Sequence, residues 1–150
     1  MHLYDNREDF DSQLGTVKKW MRVGQALDIA PTLQRDVAYS IGDSLTYWWD
    51  DAAGLSSDCL TGHRRYLTVL APFEGELIVK IANKKQLNAV GRYSDLTDRE
   101  RFDGPASFVS VPQGGVLVAD VDEALAVTSL TTTKAVQLQV TVEGYSFPNK

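Results

Sequence analysis

The sequence predicts a mainly β fold, an antiparallel sandwich or barrel that follows two helices. Two observations predict it. Up to Pro31 the apolar residues recur with the spacing of a helix face. From Val37 onward, short β-branched and aromatic runs are separated by turn residues, a pattern typical of sandwiches and barrels. We expect one domain over residues 1–150, because this length is sufficient for a full core.

Two helices are predicted within residues 5–30. Asp5 or Asn6 can cap the first helix, and Gly15 interrupts it. Thr16 can cap the second, which has to end before the proline that follows. The predicted apolar face of this second helix consists of Val17, Trp20, Met21 and Leu27.

A β body is predicted over residues 36–143, with the helices packed on it. Gly42-Asp43 is a favourable turn dipeptide between its first two strands. Residues 94–103 are rich in charged side chains, and we predict a loop there. The predicted strands are 37–41, 45–49, 66–71, 76–82, 87–93, 107–111, 116–119, 124–130 and 135–142.

Charge and hydropathy exclude several classes of partner. A net charge of −5 would repel a phosphate backbone, so we expect no nucleic acid partner. No apolar run approaches the roughly 20 residues that a membrane-spanning helix requires, and the polar N-terminus is unlike a secretory signal. Cys59 is the only cysteine, which excludes an intrachain disulfide. We expect a cytoplasmic protein with no membrane partner.

The run His63, Arg64, Arg65 and Tyr66 is the strongest candidate site. In an extended segment, His63 and Arg65 would point to one face and the other two side chains to the opposite face. One face could then line a sheet interior and bind an anionic or hydroxyl-rich ligand, because the Arg fork donates several fixed hydrogen bonds. Alternatively, the arginines form structural ion pairs with carboxylates of neighbouring strands. The residues leave both interpretations open.

A metal cofactor is not expected. A zinc ion usually has three or more protein ligands, and His2 lies at the terminus, which leaves His63 with only carboxylates to help. Asp120, Asp122 and Glu123 could supply oxygen ligands, although a solvated turn is the simpler interpretation. His63 and Asp122 are therefore weak metal candidates, and no other cofactor is predicted.

The aromatic run Tyr47, Trp48 and Trp49 is a second candidate site. On a strand, Tyr47 and Trp49 share one face and Trp48 takes the other, so at least one ring should belong to the core. A remaining ring could form a platform for a sugar or anchor a protein partner. No nucleophile elbow, phosphate loop or dinucleotide fingerprint accompanies these residues.

Short blocks in collinear order cover nearly the whole chain, and they carry a family resemblance. They lie at residues 18–20, 37–47, 61–66, 98–100, 140–143 and 149–150. Together they resemble the EbgC-type small subunits of evolved β-galactosidase, within the wider YhcH/YjgK/YiaL family. The resemblance implies a cupin-like double-stranded β-helix, or jelly roll. It also implies an accessory subunit that supports a large catalytic β-galactosidase subunit, and that forms a homo-oligomer when isolated.

The wider family implies an alternative function, a sugar anomerase or mutarotase. His63 would then act as acid and base, and Arg65 would orient the sugar hydroxyls. The ligand-binding candidates under this resemblance are His63, Arg64, Arg65, Tyr66, Tyr47 and Asp122.

The chain departs from the wider family at metal-site positions. Thr61 and Thr68 stand where acidic residues are expected, and Gln139 where a lysine is expected. Asp122 replaces a histidine of the EbgC-like proteins. The resemblance therefore implies a ligand pocket without its metal, and it favours the accessory role over independent catalysis.

Overall fold

The computed structural model describes residues 1–42 and 45–142, and within them the chain forms twelve strands. All strand pairs in the two sheets are antiparallel. In chain order the strands are β1 (His2–Tyr4), β2 (Tyr39–Ile41), β3 (Leu45–Asp51), β4 (Leu60–Gly62), β5 (Tyr66–Glu74), β6 (Leu77–Asn83), β7 (Asn88–Ala89), β8 (Glu100–Asp103), β9 (Ser107–Val111), β10 (Val116–Ala119), β11 (Glu123–Val127) and β12 (Lys134–Thr141).

These strands build two six-stranded sheets. The first sheet has the order β1-β10-β5-β12-β3-β2, and the second has the order β7-β8-β4-β11-β6-β9. From β3 to β6, and again from β9 to β12, each successive strand lies in the other sheet, while β6 and β9 pair with each other. This strand order is that of a jelly roll. The predicted mainly β, cupin-like fold with N-terminal helices is confirmed.

Three α-helices accompany the sheets in the described residues: α1 (Arg7–Leu14), α2 (Lys18–Ile29) and the short α3 (Ala52–Leu55). Two 3₁₀ helices of one turn lie at Ala30–Thr32 and Lys84–Gln86. The side chain of Asn6 caps α1 by accepting a hydrogen bond from the backbone N–H of Asp9 at 2.8 Å. The first residue of α2 follows Val17, and no side chain caps this helix, so the predicted Thr16 cap is not formed. No helix among the described residues is long and apolar enough to cross a membrane.

The buried face of α2 differs in part from the predicted one. Trp20 and Leu27 are buried as expected, together with Val23, whereas Val17 and Met21 are 45% and 50% exposed. Residues 20, 23 and 27 have the i, i+3, i+7 spacing that keeps side chains on one helix face. Because α1 packs beside α2, Phe10 meets Trp20 edge to face, with ring centroids 6.1 Å apart.

Several strand bounds also differ from the prediction. The strands β1 and β4 were not predicted, the segment predicted at 87–93 contains only the two residues of β7, and β8 lies inside the predicted loop 94–103. Asp43 of the predicted turn and residue 143, the predicted end of the β body, lie outside the described residues.

The main hydrophobic core lies on the outer face of the first sheet, beneath α1 and α2. Alternate residues of β12, namely Val136, Leu138 and Val140, are buried there. A second core lies between the two sheets and includes Leu70 and Leu117, which are paired across β5 and β10. This inner core fills only part of the barrel interior.

Candidate functional site

A cavity of about 560 Å³ lies between the two sheets beside this inner core and opens to the surface. Its walls come from β3, β5 and β12 of the first sheet and from β4, β8 and β11 of the second, and residues 54–59, His63 and Arg99 complete the lining. This volume lies within the range of small-molecule binding sites.

Strand register turns polar side chains of the first sheet towards the cavity. Thr68 of β5 lies opposite Gln139 of β12, and Gln137 lies opposite Trp48 of β3. Directly opposed residues of an antiparallel pair point to the same face, and so do residues two apart on one strand. All four of these side chains line the cavity. The intervening Leu138 is buried on the opposite face, against the helices.

The second sheet contributes a cationic wall. Thr61 of β4 lies opposite Arg101 of β8 on one side and opposite Leu125 of β11 on the other. All three residues line the cavity. Arg99, two residues before Arg101, and His63, two residues after Thr61, line the same cavity.

His63 presents a basic nitrogen to this cavity. The ring is 6% exposed, and its Nδ1 lies 2.6 Å from the backbone oxygen of Asp98. A carbonyl oxygen only accepts, so this bond assigns the proton to Nδ1. Burial, together with the positive charges of Arg99 and Lys84, lowers the pKa of His63 below its usual 6.5 although Asp98 opposes the shift. In the neutral ring Nε2 is an acceptor, and no described residue hydrogen-bonds to it.

Asp98 holds the backbone around His63. Its carboxylate accepts hydrogen bonds from the backbone N–H groups of Arg64 at 3.1 Å and Arg65 at 3.0 Å, and from the Tyr93 hydroxyl at 2.5 Å. Its φ of 53° is in the left-handed region, which Asp tolerates better than most residues. Burial acts to raise the pKa of this carboxyl, but the Tyr93 hydroxyl and the two N–H groups hold the pKa below its usual 3.8.

The His-Arg-Arg block is a bend, not an extended segment. Residues 63–65 connect β4 in the second sheet to β5 in the first, so the strand alternation expected for this block does not apply. His63 lines the cavity, whereas Arg64 and Arg65 lie outside its lining and are 57% and 55% exposed. Tyr66 begins β5, is partly buried and does not line the cavity.

Both arginines of the block form ion pairs. Arg64 Nη2 lies 2.5 Å from Glu100 Oε1, and its guanidinium carbon lies 3.9 Å above the Tyr93 ring. Lys84 Nζ approaches the other Glu100 oxygen at 2.9 Å. The hydrogen bond from Arg64, with a further one from Lys84, holds the pKa of Glu100 below its usual 4.5. Arg65 Nη2 donates to the backbone oxygen of Asp95 at 2.5 Å, and its Nε lies 3.7 Å from Asp98 Oδ1.

Trp48, and not Tyr47, is the ring of the aromatic run that lines the cavity. Tyr47 is 6% exposed and packs against Tyr39, with ring centroids 5.9 Å apart. Trp49 packs against the main hydrophobic core, on the outer face of the first sheet. Its indole N–H donates to the backbone oxygen of Leu33 at 2.8 Å.

Asp122 lies in the turn between β10 and β11, outside the cavity lining. With Asp120 and Glu123 it forms an acidic group whose ligand-type atoms lie within 4.8 Å of one another. The terminal ammonium of Met1 lies 2.6 Å from a Glu123 oxygen and 3.6 Å from an Asp120 oxygen, so two of the three acidic residues face a cation of the chain itself.

The donors around His63 do not fit a transition-metal ion. The described part of the cavity lining also contains Asp58 and Cys59, but the ligand atoms of these three residues do not come within 4.8 Å of one another. The other polar groups of this lining are hydroxyls, amides and guanidiniums. Such an ion usually has at least three nitrogen, sulfur or carboxylate ligands from the protein.

Sequence reasoning missed part of the cavity wall. Gln137, Asp58, Arg99 and Arg101 were not identified as site residues. A signal for Gln137 was present, because β12 carries polar residues at alternate positions of an otherwise apolar strand. Arg99 and Arg101 lie in the segment 94–103 that is predicted as a loop, and a loop has no strand alternation from which to infer the direction of a side chain.

Comparisons with known proteins give only distant likenesses. No family model matches the sequence. The hydroxypropylphosphonic acid epoxidase from S. wedmorenis is 15% identical over 69% of this chain and 48% of its own, with a TM-score of 0.42. Vicilin from hazelnut, Corylus avellana, is 11% identical over 73% of this chain and 31% of its own, with a TM-score of 0.36.

A cupin protein from Bacteroides fragilis is 8% identical over 74% of this chain and 81% of its own, with a TM-score of 0.32. The chain thus spans about half the length of the epoxidase and about a third of the vicilin. These likenesses are too distant to indicate a function, and the jelly roll is established by the strand order itself.

Proposed function

We propose that the chain is a non-catalytic accessory subunit of a hetero-oligomeric β-galactosidase, and that its cavity binds a sugar. The collinear resemblance to EbgC-type small subunits supports the partnership with a large subunit. The composition of the cavity wall supports the non-catalytic role, because Asp58 is the only carboxylate among the described lining residues. Glycoside hydrolysis commonly requires two carboxyl groups about 5 to 9.5 Å apart. The hydrolytic pair is then expected on the large subunit.

The cavity wall has the groups that a sugar requires. Trp48 offers an aromatic surface on which the apolar face of a pyranose can pack. The amides of Gln137 and Gln139 and the hydroxyls of Thr61 and Thr68 can both donate and accept hydrogen bonds. Apolar surface with a few converging polar groups is typical of small-molecule sites.

Reconstitution with the large subunit tests the accessory role. The isolated chain is expected to leave a chromogenic galactoside unhydrolysed, and its addition is expected to raise the turnover of the large subunit. Affinity purification at mild salt, followed by mass spectrometry, should recover a large glycoside hydrolase in fixed ratio. Hydrolysis by the purified chain alone, or recovery of only the chain itself as a homo-oligomer, would contradict the proposal.

A sugar anomerase is the second candidate, and the geometry of His63 favours it. Anomer exchange requires a base that removes the proton of the anomeric hydroxyl and an acid that protonates the ring oxygen. The sugar ring then opens to the carbonyl form. It closes again when the released hydroxyl adds to the opposite face of that carbonyl. Nε2 of His63 is a suitable base. Arg65, expected earlier to orient the hydroxyls, lies outside the cavity lining, and Asp58 is the carboxyl group on the wall.

Exchange measurements by NMR test this second role. The rate of α/β exchange of galactose is compared for the wild type, His63→Gln and His2→Gln. The other histidine is a matched control, because its side chain is 58% exposed at the N-terminus. An anomerase requires a rate above the uncatalysed one that His63→Gln abolishes and His2→Gln retains. Equal rates at the uncatalysed level would remove this candidate.

A further inference from the structure

We infer that the ligand of the cavity carries an oxyanion, a carboxylate or a phosphate, beside its hydroxyl groups, and that Arg99 and Arg101 bind this anion. The inference rests on the proposed ligand-binding role of the cavity, and it is independent of the partnership with a large subunit.

Within the described residues, Arg99 and Arg101 have no protein partner for their charge. Over residues 1–42 and 45–142, neither guanidinium forms an ion pair or a hydrogen bond with another residue. The other arginines near carboxylates behave differently. Arg7, Arg35, Arg64 and Arg65 all pair with acidic side chains. An unpaired guanidinium at the wall of a cavity remains available to a ligand.

The backbone directs both groups to one place. Arg101 of β8 lies opposite Thr61, a cavity-lining residue, and Arg99, which precedes β8 at an isolated bridge to Ser94, lines the same cavity. Two positions of extended backbone span roughly 7 Å. Two guanidinium forks at this spacing can converge on one carboxylate or phosphate, which they recognise by paired N–H donors.

The charge balance of the wall favours an anionic ligand. Against the two guanidinium charges, the described lining contains one carboxylate, Asp58. The nearby ammonium of Lys84 is already paired with Glu100, and His63 is neutral near pH 7 because its pKa is lowered. The cavity is therefore locally cationic in a chain of net charge −5. A neutral sugar would leave this charge without a partner.

Calorimetric titration of the isolated chain tests the inference with four probes: galactose, galacturonate, galactose 6-phosphate and inorganic phosphate. We expect at least one of the two anionic sugars to bind about 10-fold or more tightly than galactose, since a charge-assisted hydrogen bond is worth more than a neutral one. Whichever anionic sugar binds more tightly identifies the group as carboxylate or phosphate. Inorganic phosphate should bind more weakly than the preferred sugar, because it lacks the hydroxyl contacts.

Three variants separate the cavity arginines from general surface charge. Arg99→Ala combined with Arg101→Ala should abolish the preference for the anionic sugar. Arg101→Lys should retain part of it, and Arg92→Ala should leave it intact. Arg92 is a matched control because it is exposed, has no partner among the described residues and lies outside the cavity lining. Equal binding of galactose and both anionic sugars, binding of no sugar at all, or a preference that survives in the double variant would overturn the inference.

Cys59 gives a second readout on the wild type alone. It is the only cysteine, and it lines the cavity. Alkylation by the neutral reagent iodoacetamide should slow severalfold at saturating anionic sugar and remain unchanged at the same concentration of galactose. An alkylation rate that responds to neither sugar, or to both equally, would also contradict the inference. The accessory role is measured separately, by the activity of the large subunit, so the two proposals can fail independently.

Discussion

The Nδ1–H of His63 donates to the backbone oxygen of Asp98 across 2.6 Å, and this one bond sets the chemistry of the ring. It fixes the tautomer in which Nε2 is the acceptor. Because the ring is also buried, the neutral form is favoured and a base is available to the cavity near pH 7. Residues on two chain segments, 35 positions apart, thus cooperate to present one nitrogen atom.

Removing the Asp98 carboxylate should destabilise the protein. Asp98→Ala leaves two backbone N–H groups and the Tyr93 hydroxyl without their acceptor. We expect the free energy of unfolding to fall by about 2 to 4 kcal/mol, since these bonds involve a buried charged group. Urea unfolding at pH 7 measures the change. Asp95→Ala in the same loop is the control, because its side chain is exposed, and it should be nearly neutral.

The contribution of Asp98 should also depend on pH. The pKa of its carboxyl is lowered in the folded protein, so its stabilisation is present above the usual 3.8 and is lost as the pH falls through the folded value. Acid unfolding of wild type and Asp98→Ala should therefore converge at low pH. A constant difference between them down to pH ~2 would contradict this.

His63 should cause a separate loss of stability at mildly acidic pH. Above the usual pKa of 6.5 the ring is neutral in both the folded and the unfolded chain. Below 6.5 the unfolded chain takes up a proton that the buried ring does not accept, so the free energy of unfolding decreases until the folded pKa is reached.

Urea unfolding between pH ~8 and ~5 measures this effect. The wild type should lose stability as the pH falls below 6.5, and His63→Gln should lose less over the same interval. His2→Gln is the control for replacing a histidine at an exposed position. Parallel slopes in all three proteins would show that His63 does not titrate differently on folding.

Truncation of the two adjacent tryptophans should have different main effects, a loss of stability for Trp49 and a loss of ligand binding for Trp48. Trp49→Ala removes a ring that packs in the outer core and donates to Leu33, so we expect a loss of about 3 to 5 kcal/mol of stability. Trp48→Ala should cost about 1 kcal/mol, because its ring faces a cavity, and should instead weaken ligand binding. Thermal unfolding and calorimetric titration of both variants measure the two effects. Comparable losses of stability would place both rings in the core.

Replacing a polar residue of the barrel interior should stabilise the fold at the expense of binding. Gln139 lines the cavity opposite Thr68, and its amide forms no hydrogen bond within the described chain. Gln139→Met retains the length of the side chain and adds apolar surface, for an expected gain of about 0.5 to 2 kcal/mol. Affinity for the ligand should fall. A destabilised variant with unchanged affinity would contradict this assignment of Gln139.

The fold class could be predicted because its signals are local in the sequence. The cavity wall could not, because it depends on which strands pair and in what register. Helical spacing before Pro31 and β-branched runs after Val37 are properties of neighbouring residues, and they led to the correct fold class. The cavity instead depends on register between strands distant in sequence. Arg101 faces inward because it lies opposite Thr61, and no feature of residues 94–103 alone indicates that pairing.

The His-Arg-Arg block shows that side-chain orientation also depends on backbone geometry that the sequence does not reveal. Its composition drew attention to His63, which lines the cavity, but the orientation of each side chain was inferred from an extended backbone that the bend does not have. Tyr47 was likewise assigned to a ligand site although the strand alternation of the aromatic run allowed either face. The neighbouring Trp48 is the residue on the cavity side.

The position of the main core outside the barrel has a consequence for how this protein can evolve. Along β12, the residues that pack against the helices and the residues that line the cavity alternate one by one. Substitutions on the inner face can therefore change which molecule is recognised while the folding energy of Val136, Leu138 and Val140 is kept. Loss of the helices would instead expose a wide apolar sheet, and the chain would aggregate while every residue of the cavity wall was still intact.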